Sequence, residues 1–285
     1  MSLLFYHRFI LVVLLGFGCL PGMGRAGELV SLYEFGADEM GYLSLPETQP
    51  QGSILLIPDA LGPRGVVKQR CDLLAKLGYV TLAVDLYNGS ASETPETADR
   101  LQQKLESEVA ILAIQAGMKL LSGSPRYRTK TVILASWGDN FKFTMTAANA
   151  LESFTPNAIS WVDPDGLEGL DIVKGSRVPL QLILRRESIA ETYQAGLTRF
   201  NQLRGMDCEV SIIEQPRGFL LNPKSTPEGV KAWTALINFW QDVIDGNYSP
   251  QVVSGTEVMS DSASVPDEKP RSIVTRPRIK HPRLN

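Results

Sequence analysis

The chain of 285 residues has very little histidine: only His7 and His281, one near each end. A serine or cysteine nucleophile needs a positioned base to take its proton, and histidine most often fills that role. Because no imidazole occurs between residues 8 and 280, the usual serine–histidine–acid triad cannot form there. The scarcity excludes the commonest route to acyl transfer, whichever residue is taken as the nucleophile.

Other features are scarce as well. The net charge is only −3, so the sequence has no domain-wide basic surface and nucleic acid is not expected as a partner. The three cysteines and two histidines are not paired at zinc-ligand spacing. The sequence therefore predicts no metal site and no cofactor.

Long hydrophobic runs are also missing. The longest stands near the N-terminus, from residue 9 to 17, and is shorter than the roughly 20 apolar residues that span a bilayer. Arg8 precedes it, and Gly24-Arg25-Ala26 supplies the small residues that signal peptidase requires. We interpret residues 1–26 as a cleaved export signal, which places the protein in the periplasm or outside the cell. The alternatives are an uncleaved anchor and lipid attachment at Cys19.

The C-terminal segment, residues 247–285, is polar, contains scattered prolines and has no periodic apolar face. From Lys269 onward it carries six lysines or arginines and no acid. This composition is typical of a disordered tail. Contact with anionic lipid or a protein partner is the functional alternative.

Between these ends, residues 27–246 alternate short apolar runs with helical patterns. Such alternation predicts a single α/β domain, with a mostly parallel sheet, an N-terminal antiparallel hairpin and helices on both faces. Strands are predicted at 29–35, 42–45, 54–57, 79–84, 132–134, 158–162, 179–184 and 209–214, and helices at 66–77, 94–121, 191–203 and 227–244, with another directly after the strand at 132–134. Ligands of such sheets bind outside the carboxyl ends of the strands.

Four stretches carry a resemblance to a known family: GYLSLP (41–46), GSILLIPDALG (52–62), LAKLGYV (74–80) and VTLAVDLYNG (80–89). They resemble the dienelactone hydrolase family of α/β hydrolases, which implies the α/β-hydrolase fold. Asp59 then stands where that family usually has a glutamate. Ala60 takes the place of the residue whose backbone N–H contributes to the oxyanion hole.

The family's nucleophile elbow, G-x-C-x-G, has no intact counterpart in the stretch KTVILASWGDNFKF (130–143). Aligned by strand ends, Gly138 takes the nucleophile position, between Ser136 and Asn140. A shift of two residues makes Ser136 the nucleophile but puts Leu134 where a small residue packs, so we favour Gly138. An elbow forces its tip residue toward positive φ, which glycine adopts without a Cβ clash.

The remaining triad positions implied by the resemblance are also degenerate. The acid position falls near Ser188, with Glu187 beside it. The histidine position falls at Gly218 or Phe219, and neither can accept a proton. Ser136, Asp59 and Glu187 remain the candidate catalytic residues for any non-histidine chemistry.

Carboxylates recur near the predicted carboxyl ends of the strands, including Asp59 and Asp139. If they meet, one could act as a general acid with a raised pKa, or both could hold a hard cation. Capping of helices and loops is the ordinary role of such aspartates and is the interpretation we prefer. Trp137 either lines a pocket or fills the space that the active site occupies in the family the chain resembles.

The sequence thus predicts an exported pseudo-hydrolase that binds a small molecule or a protein partner at the former active-site mouth. One alternative is a weak esterase or lactone-type hydrolase that uses Ser136 with a non-histidine base. Another is an envelope scaffold protein that acts through its tail. The sequence fixes neither the ligand nor the oligomeric state.

Overall fold

A computed structural model describes residues 27–61, 64–92, 94–151, 154–162, 178–185, 208–213 and 227–248. The predicted export signal, the helix at 191–203 and nearly all of the predicted tail lie outside these ranges. Eight strands form one sheet in the order β1-β2-β4-β3-β5-β6-β7-β8. They are β1 (Glu28–Ser31), β2 (Met40–Ser44), β3 (Gly52–Ile57), β4 (Tyr79–Val84), β5 (Val132–Trp137), β6 (Ala158–Val162), β7 (Leu180–Arg185) and β8 (Cys208–Ile213).

The sheet is parallel from β4 to β8, whereas β2 pairs antiparallel with both β1 and β4. The central strands β3, β4 and β5 are buried along their whole length. This is why they appear in the sequence as continuous apolar runs rather than alternating ones. The predicted hairpin and mostly parallel sheet are confirmed.

The first predicted strand, at 29–35, is too long. Strand β1 ends at Ser31, and the one-turn 3-10 helix Tyr33–Phe35 follows it. Gly36 then closes the turn at φ +98, in the left-handed region that glycine adopts freely. Tyr33 and Phe35 are aromatic residues of the kind common in strands. The chain nevertheless turns at Gly36, so these two residues do not pair with β2.

Five helices occur in the described part of the chain. They are α1 (Arg64–Lys76), α2 (Pro95–Lys104), α3 (Ser107–Gly123), α4 (Phe141–Ala150) and α5 (Pro227–Ile244). The single long helix expected at 94–121 is two helices, because Leu105 and Glu106 have extended backbone. Helix α2 buries only Ala98, whereas α3 buries eight residues, so the two helices cover different surfaces.

Helices cover both faces of the sheet, as predicted. One core lies under α3 and α4 and includes Val132 and Leu134 of β5. The opposite core lies under α1 and α5 and includes Ile133, Ala135 and Trp137 of the same strand. This alternation along β5 decides which of its side chains face each helical layer.

The C-terminal helix is followed by a short packed segment. The backbone N–H of Asn247 donates to the Asp242 carbonyl at 2.8 Å. The Tyr248 ring meets the Phe239 ring edge-on, with centroids 5.1 Å apart. Packing therefore continues two residues into the segment predicted as tail. None of the helices described above is sufficiently long and apolar to cross a bilayer.

The chain order places β4 on one side of β3 and β5 on the other. The connections that leave the carboxyl ends of β3 and β5 therefore diverge, which opens a crevice between them. In open α/β sheets this switch point is where ligands bind.

Candidate functional site

The two loops at the switch point are held side by side by the register of the sheet. Ile57 at the end of β3 pairs with Ser136 near the end of β5. This register brings Asp59 on the first loop next to Gly138 at the start of the second. Of the nine site residues that the sequence singled out, the structure brings these two side by side.

Gly138 forms the tip of the turn between β5 and α4. Its φ is +56, in the left-handed region. A one-turn 3-10 helix, Gly138–Asn140, joins it directly to α4 at Phe141. Strand, left-handed tip residue and helix follow one another without a spacer, which is the backbone arrangement of a nucleophile elbow.

The side chain of Asp59 lies over this tip. A Cβ built on Gly138 would be 3.4 Å from both Cβ and Oδ2 of Asp59. That is ordinary van der Waals contact, so the space a nucleophile's side chain would enter is already bordered by a carboxylate. Asp59 also accepts a hydrogen bond from the Leu61 backbone N–H at 3.2 Å, which fixes its loop.

Ser136, the candidate of the shifted register, faces away from this crevice. Its side chain is fully buried, on the face of the sheet covered by α4. The Thr144 hydroxyl lies 3.0 Å from the Ser136 hydroxyl oxygen and also donates to the Asn140 carbonyl. Ser136 therefore joins the strand to the helix that follows it.

Asn140 is the centre of a polar network that no sequence pattern predicts. Its fully buried amide donates to the Pro58 carbonyl at 2.8 Å and to the Tyr87 hydroxyl at 3.0 Å. Its oxygen accepts from Gln102 Nε2 at 3.0 Å. The Tyr87 hydroxyl also donates to Gln102 Oε1. The loops after β3, β4 and β5 and helix α2 are thereby tied together at the mouth of the site.

A second set of contacts anchors the elbow from below. Trp161 on β6 donates its indole N–H to the Gly138 carbonyl at 2.8 Å. Its ring stacks on Phe141, with centroids 4.1 Å apart and planes 4° from parallel. The backbone of the tip is therefore held by a buried side chain of the neighbouring strand.

The other predicted site residues have distinct surroundings. Ala60 is buried with Leu61 and Ala98 beneath α2. Asp139 is exposed. Trp137 is only 4% exposed, and its indole N–H has no hydrogen-bond acceptor among the described residues. Glu187, Ser188 and Gly218 lie outside the described residues.

A half-open groove adjoins Asp59 and runs along the ends of β3 and β4 toward β2. The space it encloses is only about 60 Å³, and the rest of the groove is open to solvent. Its polar lining residues include Tyr42, Asp59, Lys68, Asp85 and Tyr87. Asp85 accepts the backbone N–H groups of Tyr87 and Gly89, so this carboxylate shapes the loop after β4.

No group of three or more His, Cys, Asp or Glu side chains with the arrangement of a metal site occurs in the part of the chain that the structure covers. Asp59 and Asp139 both follow switch-point strands, but their roles differ. Asp59 borders the tip, whereas Asp139 faces solvent.

Comparison with known proteins agrees with this geometry. Residues 40–151 match the profile of the Dienelactone hydrolase family. The chain has a dienelactone-hydrolase-like α/β-hydrolase fold. The match covers the strands and loops that build the switch point, from β2 to the end of α4.

Several solved structures of this fold resemble the chain. A putative dienelactone hydrolase from Klebsiella pneumoniae is 13% identical, with a TM-score of 0.57 over 75% of this chain and 98% of that one. The dienelactone hydrolase-like promiscuous phosphotriesterase P91, from metagenomic libraries, is 17% identical, with a TM-score of 0.57 over 76% and 98%.

Dienelactone hydrolase from Anabaena variabilis is 16% identical, with a TM-score of 0.56 over 76% of this chain and 97% of that one. No curated protein sequence matches the chain significantly. At these identities the likeness establishes the fold and leaves the chemistry to be argued from the residues of the site.

Proposed function

We propose that this protein is an exported, dienelactone-hydrolase-like pseudo-hydrolase that binds a small molecule at the mouth of the former active site. The observation that carries the proposal is that glycine stands at the tip of the elbow. Gly138 holds the left-handed backbone of a nucleophile elbow, but it has no side chain to attack with. The Asp59 carboxylate borders the space above it.

The absence of histidine supports the same conclusion independently. The sequence between residues 8 and 280 contains no imidazole. General acid–base catalysis by a positioned side chain contributes typically about 10²–10⁴-fold, and residues 8–280 lack the imidazole that usually supplies it. A retained scaffold without nucleophile and base is suited to binding rather than turnover.

The weak esterase that would use Ser136 finds little support in the site. The Ser136 hydroxyl is fully buried and in contact with Thr144, on the face of the sheet away from the crevice. A substrate carbonyl must come within about 3–3.5 Å of the attacking oxygen in a reactive complex. The α4 layer would have to move before any ester reached Ser136.

The chemistry of the mouth favours uncharged or cationic ligands. Among the described residues, Asp59 and Asp85 line the groove together with Lys68. Asp139 is exposed but is not one of the residues that line the groove. Carboxylates at a binding site repel anions and attract cations.

Three probes of nearly equal size test the binding proposal by thermal unfolding: benzoate, benzamide and benzylamine. Saturable stabilisation of RT ln(1 + [L]/Kd) is expected with benzamide or benzylamine and a smaller one with benzoate. Asp59→Asn should reduce the preference for benzylamine, whereas the control Asp139→Asn should change it less. The absence of a saturable shift with all three probes would contradict the binding proposal.

Hydrolysis of p-nitrophenyl acetate tests the other half of the proposal. The wild-type protein should hydrolyse the ester no faster than the buffer does. Ser136→Ala serves as the control, because a rate above background that this substitution removes would establish the esterase instead.

A further inference from the structure

The N-terminal residue of the described domain is bound to a carboxylate on α1. The backbone N–H of Gly27 donates to Asp72 Oδ1 at 3.0 Å. Ser44 Oγ donates to the same oxygen at 2.6 Å, and the Tyr42 hydroxyl lies 3.1 Å and 3.2 Å from the two carboxylate oxygens. We call these four residues, Gly27, Tyr42, Ser44 and Asp72, the Asp72 cluster.

The cluster has room for glycine alone at position 27. A Cβ on Gly27 would lie 2.3 Å from Ser44 Oγ and 2.6 Å from the Leu43 carbonyl oxygen. The second of these is backbone of β2, which cannot move aside without breaking the hairpin. The residue at the start of β1 is therefore fitted closely to a built site.

The charge in the cluster is not balanced. Asp72 is half-buried, and its three donors are a peptide N–H and two hydroxyls. Within the described ranges, no lysine or arginine forms an ion pair with it. Lys68, one turn earlier on α1, instead directs its ammonium to the Tyr42 ring, 5.4 Å from the centroid. A half-buried carboxylate gains from a cationic partner.

Tyr42 keeps its proton in this setting. Burial raises the pKa of the Tyr42 hydroxyl, and the neighbouring Asp72 charge and its hydrogen bond raise it further. The hydroxyl thus remains a donor to Asp72. The missing component of the cluster is positive charge, and the atom nearest to supply it is the nitrogen of Gly27.

We propose that signal peptidase cleaves the Ala26–Gly27 peptide bond and that the α-ammonium of Gly27 so formed pairs with Asp72. Water adds across the bond: its hydroxyl becomes part of the Ala26 carboxylate, and the Gly27 nitrogen, protonated at neutral pH, becomes an ammonium. One peptide N–H is replaced by three charged donors at the same place. The Asp72 cluster is a binding site for the protein's own processed N-terminus.

Gly27 is half-buried, whereas Glu28 and Leu29 after it are exposed. The proposal shares with the proposed function only the export of the chain.

The first test is the N-terminus of the exported protein. The full precursor is expressed in a bacterium, the product is purified from the exported fraction, and its intact mass and N-terminal sequence are determined. The expected first residue is Gly27. Export with an uncleaved chain, with lipid on Cys19 or with another first residue would overturn this inference and leave the ligand-binding proposal standing. Failure to export would overturn both.

The second test measures the ammonium–carboxylate pair directly. Chains that begin at Gly27 and at Arg25 are released from a fusion by a protease that leaves no extra residue. The chain that begins at Gly27 should melt about 3–6 °C higher, a shift expected of a charge-assisted hydrogen bond in a domain of this size. The difference should vanish when both chains carry Asp72→Asn.

The substitution Asp38→Asn, at a solvent-facing aspartate, is the matched control and should preserve the difference between the two chains. Equal melting of the two wild-type chains would overturn the inference. A difference that survives Asp72→Asn would also overturn it, since the stabilisation would then come from another source.

Discussion

Gly138 determines what the site can do, because it combines the geometry of a nucleophile elbow with the absence of a side chain. A residue with a Cβ pays for the left-handed conformation, whereas glycine does not. The Asp59 side chain leaves room for a small side chain at position 138, since a Cβ there would lie 3.4 Å from the nearest Asp59 atoms. A side chain at this position would therefore cost only the strain of the left-handed backbone, and the site lacks a nucleophile because residue 138 is glycine.

Gly138→Ala should lower the free energy of unfolding by about 1–2 kcal/mol, the cost of a left-handed conformation for a residue with a Cβ. Gly123→Ala, at the end of α3 in open space and without a positive φ, is the control. It should leave the stability unchanged or raise it by up to about 1 kcal/mol. Urea unfolding of both variants measures the two values, and equal losses would contradict the strain assigned to Gly138.

Tyr79 gives a prediction for alkaline pH. Burial raises the pKa of its hydroxyl to about 12, and the Asp245 charge contributes in the same direction. In the unfolded chain the hydroxyl titrates near 10. The unfolded state therefore loses its proton first, so the stability from this group is complete below about pH 10 and falls as pH rises toward 12.

Stability measured across pH 9–12 checks this. The wild-type protein should lose about 2 kcal/mol more over that window than Tyr79→Phe does. Tyr33→Phe, at an exposed tyrosine, should retain the wild-type pH dependence. If the stability of Tyr79→Phe fell with pH as steeply as that of the wild-type protein, other groups would account for the loss of stability at alkaline pH.

At the scale of elements, helix α2 distinguishes the mouth of the site from the rest of the sheet. Thr94 caps its first turn, Pro95 begins it, and Ala98 is its one buried residue. Gln102 supplies its link to Tyr87 and Asn140. The helix is thus held at the mouth largely by polar contacts rather than by a broad apolar face.

Gln102→Ala should lower the free energy of unfolding by about 1–2 kcal/mol, because it removes hydrogen-bond partners from two enclosed polar side chains. Gln103→Ala changes the same residue type on the same helix at an exposed position, and its effect should stay within about 0.5 kcal/mol. Helix propensity cancels between the two. A similar effect of both substitutions would show that the network does not hold α2.

The elements were predictable wherever local pattern decides the outcome. The buried central strands appear as continuous apolar runs, and the abrupt change after Leu134 indicated the elbow, although β5 continues to Trp137. The break at Leu105 and the early end of β1 were missed, because tertiary packing and a turn overrode helix and strand composition. The Asn140 network was missed for a different reason: its partners lie 38 to 82 residues away in the chain.

For the whole molecule, fold and chemistry have separate determinants. Apolar strands and the order of the sheet preserve the switch point at 13–17% identity to solved structures of dienelactone-hydrolase-like proteins. Catalysis depends on a few side chains at that point, and these can be replaced without loss of the core. A scaffold of this kind offers a formed crevice, which suits a binding protein.

Intact mass spectrometry after incubation with a fluorophosphonate is the most direct test of the account. The reagent phosphonylates activated serine hydroxyls and leaves a stable covalent adduct. With Gly138 at the tip and Ser136 buried against Thr144, the protein should keep its unmodified mass. Stoichiometric labelling that Ser136→Ala abolishes would show an active nucleophile and contradict the proposal that the protein is a pseudo-hydrolase.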